Sequence, residues 1–186
     1  PAATPELTPE LLASLKLAGI QTVSLSLDGS DASRHDGLRG VPGTFQATVA
    51  AAAAARAAGL PLQINTLVTH ETLPDLPAVY QLLLTWSIVR WSLFFLIPVG
   101  RGGALREVTP GQSERLNRWL YELSTQAPFQ IKTTEAMHYR RAAVRAMAAS
   151  GLQPKKIQGR RVTDDATLAI VVRVLREEQI DIRRQR

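Results

Sequence analysis

The chain has 186 residues, of which 45% are apolar, and a net charge of +6; this supports one globular domain with a substantial core. It contains no cysteine, which excludes disulfides, cysteine-bound zinc and a cysteine-ligated iron–sulfur cluster within this chain. Because it has no run of about 18 apolar residues and no signal peptide, the sequence predicts a cytoplasmic protein without a membrane span.

Helices and strands are expected to alternate along the first 133 residues. Thr8 can cap a first helix over residues 8–18, with Pro9 in its first turn. The β-branched and apolar residues of 20–27 then predict a first strand. Thr44 is the expected cap of the second helix. The remaining helices are expected at 44–58, 75–86 and 113–125, and the remaining strands at 61–69, 89–97 and 129–133.

This order predicts an α/β fold with a parallel sheet and right-handed crossovers. The strands start roughly 30–40 residues apart, which is close to the period of a (β/α) barrel with eight units in about 250 residues. Four units could form half of a barrel or a small open sheet, and the period alone does not choose between them. We therefore expect one domain over 1–135 and a basic helical extension over 136–186, with helices at 136–149 and 164–178 joined by a loop.

Polar residues stand where the predicted strands end, which is where parallel α/β sheets bind their ligands. Ser26 and Asp28 share one face of the first strand, and Asn65 lies on the second. A hydroxyl and a carboxylate that converge there can bind ribose hydroxyls or an amino group. They can equally belong to an ordinary strand end, at which Asp28 and Gly29 make a turn.

The residues that follow the first strand carry a family resemblance. They comprise Ser24-Leu25-Ser26-Leu27-Asp28-Gly29-Ser30, then His35-Asp36-Gly37-Leu38-Arg39-Gly40, then Gly43-Thr44-Phe45. This run resembles the fourth-strand region of radical S-adenosylmethionine (radical SAM) enzymes, especially the peptide- and cofactor-maturing branch with SPASM-type C-terminal domains. Residues 63–69 and 94–102 are similar to the fifth and sixth strands of that family, so the resemblance covers about residues 8–145.

The resemblance implies a partial TIM-like barrel, roughly strands 4 to 7 of a radical SAM barrel, over residues 1–135. It also implies two cofactors, S-adenosylmethionine and a [4Fe–4S] cluster that three cysteines hold. Reductive cleavage of S-adenosylmethionine at the cluster would yield a radical that abstracts hydrogen from a peptide or a cofactor precursor. The cluster cysteines are absent from this chain, so no metal ligand is assigned here and the catalytic residues are unknown.

The same resemblance assigns cofactor contacts by motif position. Ser26 and Asp28 would lie near the ribose or the methionine end of S-adenosylmethionine. Asn65 would face the barrel interior, and the backbone from Leu96 to Pro98 would lie near the adenine. Arg39 could pair with a carboxylate, a role that suits a guanidinium group.

The absence of the cysteine motif and of three earlier strands predicts that the chain is a fragment, and Pro1 in place of Met agrees with that expectation. Its partner would be the missing N-terminal half of the barrel, which would pair with an exposed edge on the first strand. Alone, the fragment is expected to be inactive.

Three other interpretations stay open. An aldolase-like lyase on another (β/α) barrel would need a catalytic lysine, for which Lys132 is the candidate. A basic nucleic-acid-binding module would depend on the lysines and arginines of 150–186, although aromatic stacking motifs are missing. The glycines of 100–103 could bind phosphate, but they lack the dinucleotide pattern. His35, His70 and His138 have no metal-ligand spacing and are expected at the surface or at helix caps.

Overall fold

The computed structural model of the protein describes residues 7–134, apart from the side chain of Arg101. The regular elements of this range, in chain order, are α1 (Pro9–Leu17), β1 (Val23–Ser26), α2 (Ala32–Arg39), α3 (Thr44–Ala57), β2 (Leu62–Val68), α4 (Leu76–Leu84), β3 (Arg90–Phe95), α5 (Pro110–Ser124) and β4 (Gln130–Thr134), with short 3-10 helices at Leu73–Asp75 and Gly100–Ala104. The predicted helices at 136–149 and 164–178, and the basic residues near them, lie outside the described residues.

The strands form one parallel sheet in the order β1-β2-β3-β4, so neighbours in the chain are also neighbours in space. The α/β class and the alternation of helices and strands predicted from the sequence are therefore confirmed. The register places Ser26 beside Asn65 and Asn65 beside Ser92. Since strand side chains alternate between the two faces, these three residues share one face of the sheet.

The two faces of the sheet differ in chemistry. One face is mostly apolar and buried; its members are Val23, Leu25, Leu27, Leu62, Ile64, Thr66, Val68, Trp91, Leu93, Phe95, Ile131 and Thr133. The other, which we call the polar face, consists of Ser24, Ser26, Gln63, Asn65, Leu67, Arg90, Ser92, Phe94, Gln130, Lys132 and Thr134. Right-handed crossovers between successive neighbours put the connecting helices on one side of such a sheet, and helix α3 contacts both β1 and β2.

Trp91 lies at the centre of the apolar side and is fully buried. Its indole nitrogen donates to Thr66 Oγ1 at 2.8 Å, and that hydroxyl donates to the carbonyl of Leu27 at 2.7 Å. The Tyr80 ring of helix α4 stacks on the indole at 6.1 Å and meets the edge of Phe129 at 5.9 Å. Three strands and one helix are thereby joined through a single aromatic cluster whose polar atoms are satisfied.

Helix α1 begins where the sequence predicts. The Thr8 hydroxyl accepts from the backbone nitrogen of Leu11 at 3.3 Å, and Pro9 is the first helical residue, where its missing N–H costs nothing. Leu12 is fully buried, whereas Leu11 is 40% exposed. Of these two leucines, only Leu12 is therefore part of the core.

Helix α2 was not predicted, because its residues are mostly polar. Local signals nevertheless define both of its ends. The Asp31 carboxylate accepts from the backbone nitrogen of Arg34 at 2.9 Å and caps the first turn. Gly40 closes the helix at a φ of 68°, a left-handed conformation that favours glycine.

The described residues divide into two compact units. The first contains residues 7–109 and 127–134, with the whole sheet and helices α1 to α4. The second contains helix α5, whose buried positions Ser113, Leu116, Asn117, Leu120 and Tyr121 recur at helical spacing. None of the helices within 7–134 combines the length and the apolar character that crossing a bilayer requires.

Candidate functional site

A cavity of about 340 Å³ lies at the carboxyl ends of β1 and β2. Its lining residues are Ser26, Asp28, Leu38, Arg39, Asn65, Thr66, Leu67, Phe94 and Leu105. They come from three strands, from helix α2 and from the segment after the Gly100–Ala104 helix. Four of the six site residues expected from the sequence, namely Ser26, Asp28, Arg39 and Asn65, thus meet at one place.

The Asp28 side chain links the end of β1 to strand β2 and to helix α2. Its Oδ1 accepts from the backbone nitrogen of Leu67 at 2.7 Å, which fastens the end of β1 to β2. Its Oδ2 lies 2.5 Å from Arg39 Nη2, which fastens it to helix α2. Because the Asp28 side chain is only 2% exposed, this carboxylate serves first as a structural link and only at its margin as a surface of the cavity.

The ion pair between Asp28 and Arg39 leaves the Nε–H donor of the guanidinium group unused among residues 7–134. Asp28 Oδ2 is buried and has Arg39 Nη2 as its ion-pair partner, whereas Arg39 Nε is buried without a hydrogen-bond partner among residues 7–134. The Arg39 side chain is 30% exposed and lines the cavity. A ligand there would meet a guanidinium group that its carboxylate partner holds in place.

His35 supports Asp28 from the side of helix α2. Its Nδ1 accepts from the backbone nitrogen of Asp28 at 2.9 Å, so the proton of the neutral ring is on Nε2. The residue is completely buried, and Nε2 has no hydrogen-bond partner within 7–134. The expectation that His35 is a surface or capping residue is wrong, because the turn after β1 folds helix α2 back over the strand end.

Burial lowers the pKa of His35 below its ordinary value, while the Asp28 carboxylate acts in the opposite direction. A group with a depressed pKa in the folded state stabilises the protein above its unfolded pKa, about 6.5 for histidine, and loses that contribution as the pH falls. Protonation would also put an N–H on Nδ1, opposite the N–H of Asp28.

We therefore expect the free energy of unfolding to decrease between pH 7 and pH 5, and His35→Asn to remove up to about 1.4 kcal/mol per pH unit of that slope. Urea denaturation at several pH values measures both slopes. The unmodified protein, measured in parallel, gives the reference slope. An unchanged slope in His35→Asn would show that this imidazole does not titrate with folding.

Asp36, which follows His35, caps helix α3. Its carboxylate accepts from the backbone nitrogens of Gly43 and Phe45, both at 2.7 Å, and from the Thr44 hydroxyl at 2.8 Å. Partial burial opposes ionisation of Asp36, but the hydrogen bonds from Phe45, Thr44 and Gly43 outweigh it and lower its pKa. Thr44, the expected cap, is instead the first residue of the helix and itself binds the capping carboxylate.

Gly29 lies where the chain passes closest to helix α2. A Cβ atom at this position would be 2.5 Å from the backbone nitrogen of His35 and 2.6 Å from Arg34 Cβ. No side chain fits there without moving the helix. The next residue, Ser30, is held in turn by Asp75, whose carboxylate accepts from the Ser30 nitrogen at 2.6 Å and from its hydroxyl at 2.8 Å.

The remaining candidates lie apart from the cavity lining. Leu96 follows β3, is buried, and donates its backbone nitrogen to the carbonyl of Val68 at 3.1 Å. Pro98 is exposed in the segment beyond it, and neither residue lines the cavity. Lys132 is exposed on the polar face and is also absent from the lining. The glycines of 100–103 form a short 3-10 helix.

The chain has no cysteine, and within residues 7–134 no group of three or more histidine, aspartate or glutamate side chains is placed to hold a metal ion. An iron–sulfur cluster therefore does not fit the part of the chain that the structure describes. His138 and the arginines near it lie outside that part.

Comparison with known proteins identifies the class to which this architecture is related. No protein-family model matches the chain. The chain is homologous to radical S-adenosylmethionine enzymes over about 70% of its length, which confirms the resemblance predicted from its motifs.

The particular relatives include two proteins named AdoMet-dependent heme synthase. The one from Methanosarcina barkeri is 41% identical over 133 residues, which are 72% of this chain and 38% of that protein. The one from Nitratidesulfovibrio vulgaris is 35% identical over 137 residues, 73% of this chain and 37% of that protein. PqqA peptide cyclase from Ruegeria pomeroyi is 34% identical over 76 residues, 41% of this chain and 20% of that protein. The chain thus spans less than two fifths of the relatives it matches.

Proposed function

We propose that this chain supplies the S-adenosylmethionine-binding part of a radical SAM enzyme. The observation that carries the proposal is the cavity at the carboxyl ends of β1 and β2, where Ser26, Asn65 and Arg39 converge from two strands and a helix. Ligands of parallel α/β proteins bind at this edge. The homology to radical SAM enzymes supports S-adenosylmethionine as the ligand, and the cavity supports this edge of the sheet as its site.

The cavity fits the chemistry of S-adenosylmethionine. Its volume of about 340 Å³ lies within the range of small-molecule sites. Arg39, whose side chain is 30% exposed and lines the cavity, would bind the carboxylate of the cofactor, and Ser26 and Asn65 would bind hydroxyl or amino groups. Phe94 and Leu67 offer apolar surface for the base. When bound beside a reduced cluster, the cofactor supplies a radical that removes hydrogen from the substrate.

The cluster itself would be held by another segment, since this chain has no cysteine. We propose that the segment is the N-terminal half of a (β/α) barrel. The M. barkeri relative, of which this chain matches only 38%, is long enough to contain it. Strand β1 is the end of the sheet within the described residues, and its outer edge is the place where an added strand would pair.

A barrel accounts for the two unlike faces of the sheet. Four parallel strands that follow one another in chain order have the topology of a barrel sector. The polar face would then be the barrel interior. On this proposal the sheet corresponds to strands 4 to 7, and the enzyme acts on a porphyrin-type compound, because two relatives that match more than two thirds of this chain are named for heme synthesis.

The proposal is tested by isothermal titration calorimetry of the full chain with S-adenosylmethionine. We expect saturable binding, and at least a tenfold loss of affinity in Asn65→Leu, which removes the amide from the cavity. Gln46→Leu makes the same exchange on the exposed surface of helix α3 and should bind as the unmodified chain does. Absence of saturable binding, or an equal effect of both variants, would contradict the proposal.

A further inference from the structure

A row of hydrogen bonds crosses the polar face and ends at the cavity. Arg90 Nε and Nη2 donate to Gln130 Oε1 at 3.1 and 2.8 Å, and Arg90 Nη1 donates to Gln63 Oε1 at 3.4 Å. Gln63 Nε2 donates to Asn65 Oδ1 at 2.8 Å, and Asn65 Nδ2 donates to Ser24 Oγ at 2.9 Å. Asn65 is the member of this row that lines the cavity.

Arg90 determines the direction in which hydrogen bonds are donated along the row. A guanidinium group has only N–H donors, so the Gln63 amide must turn its oxygen toward it. The contact is long, but the opposite orientation would put two donors face to face. Gln63 then has only its nitrogen to offer Asn65, and Asn65 must receive it through Oδ1. The amide nitrogen of Asn65, with one N–H beyond the bond to Ser24, is left for the cavity.

We propose that Arg90 is a positioning residue that makes Asn65 a hydrogen-bond donor toward the ligand. The subsite at Asn65 therefore takes an acceptor atom, such as a hydroxyl, carboxylate or ring nitrogen, and disfavours a group that can only donate. This inference rests on the proposed function, in which the cavity binds S-adenosylmethionine. It assigns a role in selectivity to a side chain at the opposite end of its strand from the cavity.

Substitutions at position 90 can preserve or reverse the direction of the row. Arg90→Lys keeps a donor. Arg90→Glu introduces an acceptor, so the Gln63 and Asn65 amides should both turn over, and Asn65 Oδ1 should then accept from the Ser24 hydroxyl. Among Gln63, Asn65 and Ser24 the number of hydrogen bonds is two in both directions, so the fold should persist. Arg56→Glu reverses the same charge on the exposed side of helix α3 and serves as the control.

Two measurements on the full chain test the inference. Nuclear Overhauser effects from the Asn65 side-chain amide protons should point to Ser24 in the unmodified chain and in Arg90→Lys, and to Gln63 in Arg90→Glu. The affinity for S-adenosylhomocysteine, measured by calorimetry, should stay within about twofold in Arg90→Lys and Arg56→Glu and fall at least tenfold in Arg90→Glu.

The outcomes separate this inference from the proposed function. If the Asn65 amide does not turn over in Arg90→Glu, the role of Arg90 is wrong, whatever the affinity. If Arg56→Glu weakens binding as much as Arg90→Glu does, net charge rather than amide direction is the cause, and the inference again fails. If the amide turns over but the unmodified chain binds no nucleoside ligand, the row stands and the proposed function is wrong.

Discussion

Gly29→Ala is expected to lower the free energy of unfolding by about 3 kcal/mol, the upper part of the range for overpacked sites. The new methyl group would lie 2.5 Å from the His35 nitrogen and 2.9 Å from the Arg34 carbonyl carbon. These are backbone atoms of helix α2 that no rotamer change can move aside. The helix would have to shift, and this would disturb the hydrogen bond from the Asp28 nitrogen to His35 and the Asp28–Arg39 ion pair. Urea denaturation monitored by circular dichroism measures the change.

Gly37→Ala is the matched control, because it makes the same substitution within helix α2. A Cβ atom there meets nothing within 4 Å, so the variant should gain about 0.5–1 kcal/mol from helix propensity. Gly29→Ala is thus expected to lower the free energy of unfolding, and Gly37→Ala to raise it. Equal unfolding midpoints for Gly29→Ala and the unmodified chain would mean that the loop after β1 does not pack against helix α2 as closely as described.

The elements that the sequence predicts well are those encoded by short-range signals. Thr8 and Pro9 begin helix α1 where expected, since a cap acts within one turn. The alternation in β2 is visible as the burial of every second residue. The parallel sheet follows from the helix–strand order alone. These features can be predicted because each depends on residues that are close together in the sequence or on the order of the elements.

Helix α2 was missed because its stability depends on tertiary contacts rather than on an apolar stripe. Its buried member is His35, whose bond to Asp28 spans seven residues. Asp36 replaces Thr44 as the cap of helix α3 for the same reason, since it reaches across the turn between two helices. The signals that could have revealed helix α2 are the Asp31 cap and the Gly40 stop, which flank the eight residues of the helix.

The sequence indicated which polar residues would stand at the sheet edge but not which atoms they would leave for a ligand. Ser26, Asp28 and Asn65 line one cavity, as their positions on successive strands suggested, and Arg39, which only the family resemblance suggested, lines it from helix α2. Both carboxylate oxygens of Asp28 contact protein groups, namely the Leu67 nitrogen and the Arg39 side chain. These contacts come from residues distant in the sequence, so no local sequence pattern predicts them. The contacts of a site are set by register and crossover geometry, which act across tens of residues.

The Asp28–Arg39 pair is expected to show a coupling energy of about 2 kcal/mol in a double-mutant cycle. Asp28→Asn keeps an oxygen for the Leu67 N–H and loses the charge, while Arg39→Met keeps the length of the side chain. Each single variant leaves one charge at a site where the carboxylate is 2% and the arginine 30% exposed. The double variant removes both charges and should recover part of the loss. Denaturant unfolding of the four proteins gives the coupling.

The Glu71–Arg106 pair is the control that decides whether burial is the cause. Its Nε–Oε1 distance is 2.8 Å, but its side chains are 71% exposed for arginine and 37% for glutamate. The hydrogen bond from Arg106 is the main reason that the pKa of Glu71 is lowered to about 2, yet solvent screens such a pair. We therefore expect Glu71→Gln and Arg106→Met to couple by less than about 0.5 kcal/mol. Equal coupling in the two cycles would mean that the Asp28 carboxylate is solvated in solution, and then it could not hold Arg39 in place for a ligand.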